Sequence, residues 1–143
     1  MISSKFATPA LLGPFFDAHI KDCTAAELKY NLPSVVLLAF AAYCSKVNPA
    51  PPNNNLFSFR KNNSCGVDDY YNCTADSIFR FAHYISSVVD LKECAELTDI
   101  CQTIIDSPFS HCFIEKPAEA AAFCIKALPV FFELAFDPES ENR

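Results

Sequence analysis

Eight cysteines, at positions 23, 44, 65, 73, 94, 101, 112 and 124, are the residues of this 143-residue chain best equipped for chemistry. A thiol can bind a soft cation, act as a nucleophile, or pair with another thiol. No C-x2-C pair occurs and only three His accompany the cysteines, so the usual zinc spacings are absent. His111 stands beside Cys112, but a catalytic Cys-His pair needs a reduced thiol, and an even cysteine count leaves none obviously spare. Pairing remains. A chain of this length buries enough surface to fold without staples. Eight cysteines spread along it therefore point to an oxidising compartment, with Cys23, Cys44, Cys65, Cys73, Cys94, Cys101, Cys112 and Cys124 held in about four disulfides. The connectivity stays open, except that Cys94 and Cys101 read as one helix face. Seven residues of helix separate them by about 10 Å, beyond the roughly 7 Å that a disulfide spans.

The tripeptides Asn62-Asn63-Ser64 and Asn72-Cys73-Thr74 agree with export, since each is a glycan acceptor pattern at Asn62 and Asn72. The apolar residues between Met1 and Cys23 are cut by Pro9, Gly13 and Pro14, which makes a poor leader. The expectation is a leader removed upstream of this numbering, or another route of export. The paired-cysteine spacing of import into the mitochondrial intermembrane space is missing. The longest apolar run, Val35 to Cys44, is ten residues, against about 20 for a membrane span.

Other chemistries are disfavoured. Two glycines leave no room for a phosphate-cradling loop, and no G-x-S-x-G nucleophile elbow occurs. Asp68-Asp69 lacks the alternating oxygen ligands of a calcium loop. His19 and His83 stand apart from any nucleophile motif, and His83 falls on a polar helix face. A net charge of −6 opposes sequence-independent nucleic-acid binding. The expectation is a non-enzymatic protein without cofactor or metal.

The elements that position these residues read as helices. Thr8-Pro9, Thr24 to Glu27, Pro33, Asp90 to Glu93, Ser107-Pro108 and Lys116-Pro117 all carry helix-start chemistry. Ile78, Phe81, Ala82, Ile85, Val88 and Val89 form one stripe, and Leu91, Cys94, Leu97, Cys101, Ile104 and Ile105 another. The run 34–47 is apolar all round and reads as a central helix. Residues 118–136 are helical in pattern, with Pro129 expected to kink or break them. The fold class is all-α: a compact bundle of about five to six short helices in a single domain spanning 1–143. Residues 137–143 read as a frayed acidic tail.

One long connection, 48–73, is too rich in Pro and Asn to continue a helix. It reads as a loop tethered by Cys65 and Cys73. Phe57, Phe59, Arg60, Tyr70 and Tyr71 lie on it, and aromatics with Arg are favoured interface anchors. Packing of those rings onto the helices is the plainer alternative. Three functions fit. The first is an extracellular module that binds a protein partner through this loop. The second is a carrier of an apolar ligand such as a fatty acid or sterol, lined by Phe40, Tyr84, Phe123, Phe131 and Phe132. The third is an accessory subunit of a larger assembly, whose contact is the C-terminal segment with Phe131, Phe132, Leu134 and Phe136.

Overall fold

The computed structural model of the protein describes residues 3–61 and 65–136. Five α-helices follow in order: α1 Pro9–Tyr30, α2 Ser34–Ser45, α3 Thr74–Val88, α4 Leu97–Asp106 and α5 Pro117–Phe136. No strand occurs among the described residues. The all-helical expectation holds. Asn62 and the 137–143 tail lie outside the described residues.

The centre is α2. Every residue from Val35 to Ser45 is buried, as its uninterrupted apolar run requires. The helix packs between α1 and α5, while α3 lies against α1, and α4 against α5. Thr8 caps α1 as its sequence promises, its side chain accepting from the Leu11 N–H, with Pro9 in the first turn. Thr24 to Glu27 is no helix start, because α1 runs through it. The Glu27 carboxylate instead accepts the Ser34 N–H at the start of α2, a donor that Pro33 cannot satisfy. Asn31, left-handed at φ 58°, makes the turn between the two helices.

Two further expectations need correction. The segment 91–105 is not one helix. Asp90 accepts the Lys92 N–H in a local turn, the competition with helix that Asp side chains offer. The helix begins at Leu97 behind a capping box of Glu96 and Asp99, and Cys94 lies outside it with Sγ 3.5 Å from Thr103 Oγ1. Nor does Pro129 end α5, which continues to Phe136. Pro129 donates nothing to the Ile125 carbonyl, but buried Ala127, Leu128 and Phe131 anchor the helix on either side of it. Ser107-Pro108 opens only a single 3₁₀ turn, Ser110–Cys112.

Candidate functional site

Apart from one 3₁₀ turn, Pro52–Asn54, the described part of the loop between α2 and α3 is held by hydrogen bonds rather than by regular structure. Tyr71 N donates to Asn53 O and Asn54 Nδ2 to Tyr71 O, both at 2.9 Å, closing the neck of the loop. Asn55 bonds Phe59 through both ends of its amide. Ser58 Oγ donates to the Cys44 carbonyl at the end of α2. Asn53, Asn54 and Ser58 all take positive φ, a conformation that Asn tolerates better than most residues.

The loop turns three of its five expected contact residues inward. Phe57 is fully buried, Phe59 and Tyr71 nearly so. The Phe57 ring stacks on Phe81 at 3.9 Å, Phe113 meets Phe81 edge-on, and Phe59 lies tilted beside the stacked pair. These rings serve as core because α2 and α3 barely touch each other, and the loop aromatics fill the space between them. Tyr70 remains 62% exposed, and Arg60 is half-exposed and ion-paired with Glu115 at 3.2 Å. Asn72 is exposed.

His19 fastens the loop to α1. Its Nε2 lies 2.8 Å from the Pro49 carbonyl, so the ring proton is on Nε2. Nδ1 is buried without a hydrogen-bond partner. Burial holds the His19 pKa below its ordinary value, against the Pro49 carbonyl and Asp22, which pull it upward. The folded chain therefore keeps a neutral imidazole, while the unfolded chain takes a proton near pH 6.5. The stability this difference provides is fully present above that pH and declines as pH falls toward the lower folded value. The melting temperature is expected to fall in that window, and His19→Gln to flatten the slope. An equal slope in both proteins would remove His19 from the account.

The cysteines form fewer links than expected. One disulfide, Cys65–Cys112, joins the loop to the 3₁₀ turn before α5. Cys23, Cys44, Cys73, Cys94, Cys101 and Cys124 are thiols. Cys23 and Cys44 are enclosed in the core, and burial drives both thiols well up, so they behave as inert apolar groups. Cys44 donates to the Phe113 carbonyl at 3.4 Å. Cys73 is exposed at the N-cap of α3 and does not tether the loop. Cys101 and Cys124 are hydrogen-bonded thiols between α4 and α5, which raises the Cys124 pKa along with its burial.

The expected ligand-lining residues are mostly solid core. Phe40, Phe123 and Phe131 are fully buried and Tyr84 nearly so. Phe16 stacks on Phe131, and Tyr43 packs at a tilt against Phe123. Phe132 alone reaches a groove, of about 390 Å³, between the start of α4 and the second half of α5. Leu97, Leu128 and Pro129 form its walls and Glu96 and Glu133 its rim. Phe132 (49% exposed) and Phe136 (71% exposed) stand beside it, ring centroids 4.6 Å apart. A second, larger groove of about 590 Å³ runs between the α1–α2 turn and the end of α3, with Leu32, Val88, Val89, Leu91 and Ile100 in its wall.

No helix among the described residues is long and apolar enough to cross a membrane. In comparisons with known proteins, the chain matches no family model, no curated protein and no solved structure.

Proposed function

We propose that the chain is a non-enzymatic, extracellular protein-interaction module whose contact face is the outer side of α5. The carrying observation is the exposed Phe132–Phe136 pair beside an apolar groove. Exposed contiguous apolar surface of this kind marks association sites, and aromatic residues anchor them. Of the loop residues with interface chemistry, Tyr70 and Arg60 are accessible to a partner. The acidic rim of Glu96 and Glu133, and the net charge of −6, favour a partner segment with apolar side chains flanked by Lys or Arg. The Cys65–Cys112 disulfide supports an oxidising compartment. Oxidation there would also join the adjacent Cys101 and Cys124.

The test is capture of partners from the native fluid on immobilised protein. Phe132→Ala with Phe136→Ala is expected to lower capture at least about tenfold, since each hot-spot truncation costs roughly 1–2 kcal/mol or more. Tyr70→Ala with Arg60→Ala leaves it near the wild-type level. The reverse pattern would return the contact to the loop.

The groove at the end of α3 supports a second reading, a carrier of an apolar ligand with a polar end, because its volume lies within the usual range for small-molecule sites and Asp90 and Lys92 share its wall with the apolar residues. A rise in melting temperature with fatty acids or sterols, lost in Val89→Asp, is its expected signature. No rise across such a panel counts against it.

A further inference from the structure

The Cys65–Cys112 disulfide lies against an imidazole. Cys65 Sγ, Cys112 Sγ and a ring nitrogen of His111 all lie within 4.8 Å of one another. His111 Nδ1 donates to the Pro108 carbonyl at 2.7 Å, which places the ring's lone pair on Nε2. That nitrogen is 3.5 Å from Cys112 Sγ. Metal-ligating histidines are oriented in this way, with the second ring N–H given to a backbone carbonyl. The 3.5 Å spacing also matches a tetrahedral zinc site. Zn–S near 2.3 Å and Zn–N near 2.0–2.1 Å set the S···N edge at about 3.5 Å.

We propose that reduction of this disulfide converts the corner into a three-ligand site for a zinc-class cation, held by Cys65 Sγ, Cys112 Sγ and His111 Nε2. Two small thiols supply two electrons and two protons and leave as their own disulfide. The cation then displaces both thiol protons to solvent, and the two thiolates balance its charge. The sulfurs must part from bonding distance (about 2.05 Å) to about 3.8 Å, the S···S edge of the tetrahedron. Cys65 supplies the movement, because it sits in irregular chain beside Gly66, which has φ +70°. Cys112 is buried and stays as the fixed ligand. His111 is exposed, so the fourth position opens to water. The disulfide and the cation are mutually exclusive occupants, which makes the site a redox-gated one.

The test titrates the full chain with Co(II) without oxygen, before and after reduction by a phosphine, which leaves as its oxide with oxygen from water. The reduced chain is expected to bind one Co(II), with tetrahedral d–d bands and thiolate-to-cobalt charge transfer, and the oxidised chain none. His111→Gln, an exposed substitution whose fold is checked by circular dichroism, should weaken binding by roughly tenfold or more. Cys65→Ser with Cys112→Ser should abolish the bands, and Cys73→Ser with Cys94→Ser should leave them. Failure of the reduced chain to bind overturns the proposal. So do bands that follow Cys73 and Cys94, or an affinity unchanged in His111→Gln.

Discussion

Phe57→Ala is expected to destabilise the chain by about 3–5 kcal/mol, the usual cost of truncating a buried phenylalanine. The ring is fully buried and stacked on Phe81. Its removal leaves a cavity beside Phe59 and Phe81, in a core too dense to close over it. Tyr70→Ala, thirteen residues on and exposed, should change stability by no more than about 0.5 kcal/mol. Urea unfolding of the two variants separates the roles. Similar midpoints would mean that the loop carries no core.

The second large effect belongs to the disulfide. Cys65 and Cys112 are 47 residues apart. In the chain-entropy picture, opening a loop of that size costs about 4 kcal/mol. Cys65→Ser with Cys112→Ser should show this loss in the unoxidised-control comparison: the variant melts well below the oxidised wild type and close to the reduced one. A variant as stable as the oxidised protein would mean that the link adds nothing beyond the loop's own packing. The two effects are coupled, because Phe57 and Cys65 hold neighbouring parts of the same connection, and a combined variant should not be additive.

The helices were largely legible in the sequence. Thr8-Pro9 and Lys116-Pro117 mark starts that the structure keeps, and the all-apolar run from Val35 predicts the buried centre. The structure departs from the linear pattern where a side chain has two possible partners. Glu27 has the spacing to cap its own segment, yet it caps the next helix, seven residues away. Asp90 resembles a helix cap and makes a local turn instead. Such choices depend on tertiary neighbours that a linear pattern does not contain.

The site was less legible. Phe57, Phe59 and Tyr71 have the composition of an interface and the location of a loop, and both cues are true of a loop folded inward. Only the gap between α2 and α3 decides that they are core. Phe131 and Phe132 are neighbours in sequence, yet adjacent helix positions face different ways. Phe131 is fully buried and Phe132 half-exposed. Even cysteine number suggested full pairing, but thiols such as Cys23 and Cys44 also serve as small apolar core residues. His111 beside Cys112 was visible in the sequence. Its relation to Cys65 was not, since 46 positions separate them and a loop brings them together.

The proposed contact is the outer face of α5 rather than the loop. Its most direct measurement replaces Phe132 or Tyr70, one at a time, with a photoreactive benzoyl-phenylalanine and irradiates each protein in its native fluid. Both sites are exposed aromatics, so neither replacement disturbs the core. The account predicts a discrete covalent adduct from position 132 and background from position 70. An adduct from position 70 with none from 132 would contradict it.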